Sequence, residues 1–202
     1  MEFYDVIEKR RSIRQFEDRA IPQDVLERIF MAGLKAPSSN HQRQWHLVAV
    51  TDKDRIMQLA SCVKPYPCRY KKPEDCKSPQ QDMFRVAYPR QRTMIEQAAC
   101  LVLPYFRCKY DLKSQDNMFG LMDYGASWAV IENILLAATA EGVASVVHIP
   151  VKKEPAEIEA MVQPKAGWLL PAMILLGYAT KDAETPRQVE VGIQKNVGWN
   201  KW

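Results

Sequence analysis

The stretch "RRSIRQF" at residues 10–16 places three arginines and one serine within five positions, directly after a short helical pattern. A guanidinium group is planar, permanently charged and able to bind phosphate through two parallel hydrogen bonds. The side chains of Arg10, Arg11, Ser12 and Arg14 therefore form a compact anion receptor. Basic residues at the end of a helix also occur because they offset the negative end of its dipole. Residues 10–16 alone do not distinguish an anion-binding site from a helix end with basic residues, so other segments of the chain are needed.

Composition limits the class of protein. The chain has 202 residues, of which 47% are hydrophobic and 26% charged, a balance typical of a globular domain with a sizeable core. Its formal net charge of +4 suits an anionic ligand and is small for a nucleic-acid-binding protein. A module that binds nucleic acid through residues 10–14 and 64–77 is therefore the disfavoured alternative, and we expect no nucleic-acid partner.

Neither export nor metal binding is indicated. The start, "MEFYDVIEKR", has no apolar signal segment, and Glu132 and Asn133 interrupt the most apolar stretch. We therefore expect a cytoplasmic protein with no membrane partner. Five cysteines are an odd number, and the C-x5-C and C-x7-C spacings of Cys62, Cys68 and Cys76 are wide for a structural zinc site. We expect neither a disulfide framework nor a bound metal.

Hydrophobic periodicity predicts helices and strands that are interleaved without a regular βα alternation. The predicted helices cover residues 2–10, 22–36, 53–63, 117–141 and 154–162. The predicted strands cover residues 45–51, 99–107, 143–149 and 169–179. Pro104 lies within the second of these strands and indicates an edge or a bulge. No G-x-G-x-x-G motif follows a predicted strand, so nothing supports a dinucleotide-binding Rossmann fold.

Residues 64–90 differ from the rest of the chain. They contain five prolines, many charges and little periodicity. Such a composition predicts a long loop or a partly ordered excursion over the surface, and loops of this length are usually functional or mobile.

Four segments, in this order, resemble the FMN-dependent nitroreductase family: "RRSIRQF" at 10–16, "APSSNHQRQWHLVAV" at 36–50, "EGVASVVHIP" at 141–150, and "ETPRQV" at 184–189 followed by "VGWNKW". The resemblance implies one domain over residues 1–202, and it covers nearly the whole chain apart from the variable loop or excursion at 64–90. It implies an α+β fold, with a central mixed, mainly antiparallel sheet flanked by helices, in an intertwined homodimer. It also implies FMN as cofactor, NADH or NADPH as electron donor, and ping-pong hydride transfer to a nitroaromatic, quinone or similar electron-poor small molecule.

The resemblance assigns contacts to the charged end of the flavin. The phosphate and ribityl contacts of the family match Arg10, Ser12 and Arg14, and Arg11 is a further candidate in the same turn. Arg187 matches a basic residue that also lies at the phosphate. A solvated surface arginine is the alternative reading of Arg187, since such charges are mostly exposed.

Other segments match contacts to the flavin ring. The loop that the partner subunit lays over the flavin corresponds to Pro37, Ser38, Ser39, Asn40 and His41, and His41 stands where the family often has asparagine. A polar ring contact corresponds to Gln91, and a strand end whose backbone touches the ring corresponds to Val147, His148 and Ile149. His148 also fits a core histidine whose nitrogens are both satisfied.

No catalytic acid–base pair stands out, and we assign no catalytic side chain. Hydride transfer is performed by the cofactor, while the protein supplies position and electrostatics. The alternative function is a nitroreductase-fold flavin protein with a dedicated non-nitro substrate or a flavin-processing role. Flavin-fragmenting relatives carry an acidic residue near the position of Ser12, which argues against that branch.

Overall fold

A computed structural model describes residues 1–108 and 119–202. Eight helices are described: α1 (Phe3–Lys9), α2 (Gln23–Leu34), α3 (Lys53–Ser61), α4 (Pro79–Ala87), α5 (Thr93–Gln97), α6 (Phe119–Ala140), α7 (Glu154–Val162) and α8 (Ile193–Asn196). Five strands are described: β1 (Trp45–Val50), β2 (Cys100–Arg107), β3 (Ala144–His148), β4 (Trp168–Leu169) and β5 (Met173–Gly177). Each predicted helix and strand has a counterpart here; residues 117–118 of the predicted central helix lie outside the described residues.

The strands form one sheet in the order β1-β2-β5-β3, and the short β4 pairs with β2. Each of these strand pairs is antiparallel. Among the described residues, the one parallel pairing is an isolated bridge between Ser12 and Ser145. The predicted α+β architecture, with a mainly antiparallel sheet flanked by helices, is confirmed.

Alternation along β2 divides the core into two layers. Successive side chains of a strand point to opposite faces of the sheet. Leu101, Leu103 and Tyr105 accordingly lie in one hydrophobic cluster, with α3, α5 and α7, and Cys100 and Val102 lie in the other, with α2 and α6. The long apolar α6 is thereby explained, because it packs between the sheet and α2.

The sequence allowed an edge strand at Pro104, but β2 does not lie at an edge of the sheet. β2 has β1 on one side and both β5 and β4 on the other, so it is interior to the sheet. On the second side, pairing covers residues 100–102 with β5 and 106–107 with β4. Pro104 lies in the interval between these two partners, where a missing N–H removes no ladder hydrogen bond to them.

Residues 64–90 are more ordered than the sequence indicated. Their second half forms α4, which Ser78 caps by accepting a hydrogen bond from the Gln81 N–H. Asp82 and Arg85 are buried on this helix. Charge and proline content concealed α4, because its buried residues include the ion pair of Asp82 and Arg85 beside Val86 and Ala87.

Candidate functional site

Residues 10–16 are fixed to the sheet by their backbone and by one aromatic ring. The Ile13 N–H donates to the Ser145 carbonyl of β3 at 3.0 Å, and the Glu17 N–H donates to the Tyr178 carbonyl after β5 at 2.8 Å. Phe16 is buried and packs directly on Gly177. The apolar residues of "RRSIRQF" thus face the core, and its arginines are left for the opposite side.

A cavity of about 410 Å³ lies on that opposite side. Three segments distant in sequence form its walls: residues 10–14, the first turns of α4, and the chain after Glu184. Its lining consists of Arg10, Arg11, Ser12, Arg14, Pro79, Gln80, Met83, Thr185, Pro186, Arg187, Gln188 and Val189. The structure therefore brings all five sequence-predicted phosphate residues to one cavity.

Arg14 carries the clearest signal for a ligand in this cavity. Its Nη1 donates to the Ser12 carbonyl at 3.1 Å, while its Nε is buried without a hydrogen-bond partner. Burial, reinforced by the neighbouring charge of Arg90, lowers the pKa of Arg14 below its ordinary value. An unsatisfied buried donor on a cation is costly. A bound anion would remove this cost, so the residues present fit a phosphate group.

Arg10 and Arg11 are less constrained than Arg14. Arg11 Nη1 donates to the Arg10 carbonyl at 2.7 Å, which fixes the turn. Arg10 Nε lies 3.6 Å from Glu132 Oε1 on α6, in a half-exposed ion pair. Exposed pairs of this kind stabilise weakly, so the Arg10 side chain can turn to an anion at little cost.

Arg187 is placed at the cavity by α4 and the loop before it. Its main-chain N–H donates to Asp82 Oδ2 at 2.8 Å, and its Nη2 donates to the Cys76 carbonyl at 2.7 Å. The side chain is 53% exposed, as the alternative of a solvated surface arginine expects. It nevertheless contacts Asp82 and the Cys76 carbonyl, so it is held at the cavity.

A buried ion-pair network supports this wall. Arg85 donates from Nε to Asp82 Oδ1 at 2.9 Å and also pairs with Glu184, whose second oxygen lies 3.4 Å from Arg90. Burial alone would raise the pKa of Asp82, but the hydrogen bonds from Arg187 and Arg85 outweigh it and hold that pKa below its usual range. Asp82 is therefore ionised at neutral pH and joins α4 to the C-terminal segment.

The predicted flavin-covering loop lies elsewhere on the protomer. Pro37, Ser38 and Ser39 line a second cavity of about 310 Å³ against the beginning of α6, and it shares no lining residue with the arginine cavity. Asn40 and His41 have left-handed backbone conformations, with φ of 51° and 53°. Within one chain, the described residues do not bring this loop to the arginines.

His148 is a buried residue with both ring nitrogens partnered. Nδ1 lies 2.9 Å from Gln91 Oε1 and Nε2 lies 2.9 Å from Glu154 Oε2. Burial lowers the pKa of His148, against the opposing hydrogen bond and charge of Glu154. His148 therefore matches the alternative of a core histidine. The side-chain oxygen of Gln91 faces the His148 ring. Val147 is half-buried beside it and Ile149 is exposed.

Sequence reasoning missed several residues that shape this region. The α4 residues Pro79, Gln80 and Met83 were assigned to a loop, and neither Asp82 nor Glu154 was singled out. Two local signals were available. The order Ser-Pro is typical of a helix start, and the spacing of Asp82 and Arg85 is that of an i,i+3 ion pair.

The chain belongs to the Nitroreductase family, whose sequence profile matches residues 7–178. The resemblance found in the sequence is thereby confirmed. Among the described residues, no helix has the length and apolar character needed to span a membrane.

Particular relatives divide between two activities. An iodotyrosine deiodinase of Haliscomenobacter hydrossis is 42% identical over 62 residues, which is 29% of this chain and 28% of that relative. A crystal structure of iodotyrosine deiodinase bound to FMN and 3-iodo-L-tyrosine has a TM-score of 0.74, with 20% identity and full coverage of both chains. An FMN-dependent nitroreductase from Clostridium difficile R20291 has a TM-score of 0.69, with 19% identity over 98% of each chain. At these identities the structural likeness shows the shared fold.

Proposed function

We propose that this protein is an FMN-dependent oxidoreductase that passes hydride from NADH or NADPH to a small electron-poor acceptor. The observation that carries the proposal is the buried, unpartnered Nε of Arg14 in a cavity that Arg10, Ser12 and Arg187 also line. Several positive groups and one hydroxyl around one unsatisfied donor suit a phosphate monoester dianion.

The arginine cavity would hold the phosphate end of FMN. Charge-assisted hydrogen bonds contribute about 1.5–3 kcal/mol each, so two or three of them anchor a dianion without a covalent link. Arg14 and Ser12 are fixed by the sheet, whereas Arg10 and Arg11 close on the ligand from the end of α1. Arg187 completes the opposite wall.

The flavin, when bound, supplies the hydride-transfer chemistry. This chain's own residues bind, orient and exclude water, and we assign none of them a proton-transfer step. The backbone of Val147, His148 and Ile149 is the proposed platform for the ring. The bond of His148 to Glu154 holds that platform in place.

A homodimer would complete the site. Within one protomer, none of residues 37–41 lines the arginine cavity, so a second copy is the proposed source of the covering loop. Exposed apolar side chains support association: Phe3 is 62% exposed and Tyr4 79% on α1, and Trp199 is 76% exposed in the C-terminal segment. Isolated chains seldom leave such surfaces in water. A cytoplasmic location remains part of the proposal.

A second candidate is a dedicated reductase for one non-nitro substrate, such as a halogenated phenol. The similarity to iodotyrosine deiodinases favours it. Both candidates share the cofactor and differ in the acceptor.

Binding of FMN against riboflavin tests the cofactor site, because the two differ in the phosphate. We expect FMN to bind at least a hundredfold more tightly, in line with two charge-assisted bonds. Equal affinities, or no binding of either flavin, would overturn the proposal.

The bound flavin should then bleach on anaerobic addition of NADH or NADPH. Its reoxidation by nitrobenzoate, a benzoquinone and 3-iodotyrosine separates the two candidates. Turnover of the first two supports the general oxidoreductase, and turnover confined to 3-iodotyrosine supports the dedicated one. Sedimentation of the protein as a monomer would contradict the homodimer.

A further inference from the structure

A separate cleft lies on the sheet face that α3 and α7 cover. His46 and Tyr105 are directly opposite each other on β1 and β2, and Trp168 is opposite Arg107, two residues further along β2 and on the same face as Tyr105. The three aromatic side chains share this face because strand residues alternate. The rings of His46 and Trp168 meet edge to face at 6.2 Å. They form the floor and one wall of a cavity of about 240 Å³.

The end of α7 forms the roof of this cleft. The helix stops at Gln163, which adopts a left-handed conformation with φ of 52°, and the chain turns over the aromatic residues. Val162, Pro164 and Lys165 line the cavity from this side. A second cavity of about 180 Å³ shares Val48 and Val162 with the first and is lined by Arg55. Lys165 is thus among the residues that line the first cavity, and Arg55 is among those that line the second.

Tyr105 is a buried polar residue in the lining of the cleft. Its side chain is 2% exposed, and its hydroxyl is buried without a hydrogen-bond partner. Burial, with the charge of Glu159 on α7 nearby, raises the pKa of Tyr105 to about 12. The group is thus a hydrogen-bond donor at all physiological pH values. Tyr105 is one of the residues that line the cleft, together with Val162 and Pro164 at the end of α7.

We infer that this cleft binds a small aromatic carboxylate, with its ring against Trp168 and His46 and one of its oxygens accepting from the Tyr105 hydroxyl. An apolar cavity of about 150 Å³ accommodates benzene, so this cleft has room for one substituted ring. An acceptor oxygen satisfies the orphan donor, and Lys165 and Arg55 favour a negative charge over the opposing exposed Glu159. No residue of this cleft lines the arginine cavity.

Calorimetric titration of the flavin-loaded protein with benzoate tests the inference. We expect saturable binding of benzoate. Cyclohexanecarboxylate, which lacks the aromatic ring, and benzyl alcohol, which lacks the charge, should each bind at least tenfold more weakly. The Tyr105→Phe variant keeps the ring and removes the donor, and we expect about a tenfold loss of benzoate affinity. Lys165→Gln should weaken binding more at low salt than at high salt.

The arginine cavity is the competing anion site and needs its own control. Benzoate affinity should be unchanged in Arg14→Ala kept saturated with excess FMN, and in the wild type in the presence of inorganic phosphate. FMN retention should be unchanged in Tyr105→Phe. The inference would be overturned by absence of saturable binding, by equal affinity in Tyr105→Phe, or by displacement of benzoate by phosphate. None of these results would bear on the FMN site, which the comparison of FMN with riboflavin tests separately.

Discussion

The main-chain N–H of Arg187 donates to Asp82 Oδ2 across 105 positions of sequence, at 2.8 Å. This bond joins α4 to the C-terminal segment and closes one wall of the arginine cavity. Because Asp82 also accepts from Arg85, one buried carboxylate organises two basic side chains. The ionised Asp82 thus contributes to the wall of the cavity, beside the bond from Arg187 to the Cys76 carbonyl and the pairs that Glu184 forms.

Replacing that carboxylate tests its role. Asp82→Asn keeps an acceptor for Arg187 and removes the charge that faces Arg85. We expect the free energy of unfolding to fall by roughly 2 kcal/mol, and FMN retention to fall with it. Asp24→Asn is the matched control, since Asp24 pairs with Arg28 on an exposed face, and it should change neither quantity. Chemical denaturation and flavin release measure both; an unaltered Asp82→Asn protein would contradict the role.

The same carboxylate predicts an acid dependence. The pKa of Asp82 is lowered in the folded state, so its stabilising contribution is fully present above the unfolded pKa of about 3.8. It is lost as the pH falls through the lower folded pKa. We therefore expect the stability difference between the wild type and Asp82→Asn to be constant from pH 7 to 5 and to shrink below pH 4. A difference that grows in acid would have the wrong sign.

Arg14 should affect ligand binding more than folding. In Arg14→Ala we expect FMN to be held one to two orders of magnitude more weakly, corresponding to about 1.5–3 kcal/mol. The flavin-free protein should lose little stability, because Arg14 is buried beside Arg90 with its Nε unpartnered. Flavin titration and denaturation of the flavin-free protein separate the two effects. Arg19→Ala, which removes a cation stacked on Tyr178, is the control and should retain FMN.

Glu154 should be structurally important although it lies outside the cavity. Its Oε2 accepts from both the Val151 N–H and His148 Nε2, each at 2.9 Å. Glu154→Ala leaves both groups unsatisfied, and we expect a loss of about 2–3 kcal/mol in the free energy of unfolding. Glu157→Ala, on an exposed face of the same helix, should cost less than about 0.5 kcal/mol. Similar losses in both variants would show that the buried contact contributes nothing.

Gly177 should tolerate no side chain. A Cβ atom at this position would lie 2.7 Å from Cδ1 of Phe16. Gly177→Ala is therefore expected to cost about 1–3 kcal/mol by overpacking, and to displace the segment that carries the arginines. Phe16→Leu should partly rescue Gly177→Ala in a double-mutant cycle measured by denaturation. Additive losses would mean that the two residues do not interact as the packing indicates.

Much of the fold was available from local patterns. The nearly continuous apolar run of residues 99–107 predicted the strand β2. The apolar circumference of residues 117–141 predicted a helix that is central to the domain or to a subunit interface. The missed element, α4, carries a buried charged residue, one of whose partners is more than 90 residues away. No local pattern encodes such a partner. Pro104 shows the same limit, since the sequence allowed an edge strand or a bulge there, and only the arrangement of the neighbouring strands shows that β2 is interior to the sheet.

The sequence by itself determined the charge of residues 10–16, because three guanidinium groups lie within five positions, but it left open whether they bind an anion or offset the dipole of the preceding helix. It also determined the family, through the order of its segments. Tertiary structure alone decided that Phe16 fixes those arginines to β5 and that α4 and Arg187 complete their cavity. It also decided that the loop of Pro37 to His41 lies apart from them. The physical reason is that charge and periodicity are local properties, whereas a binding cavity is enclosed by segments that come together only when the core packs.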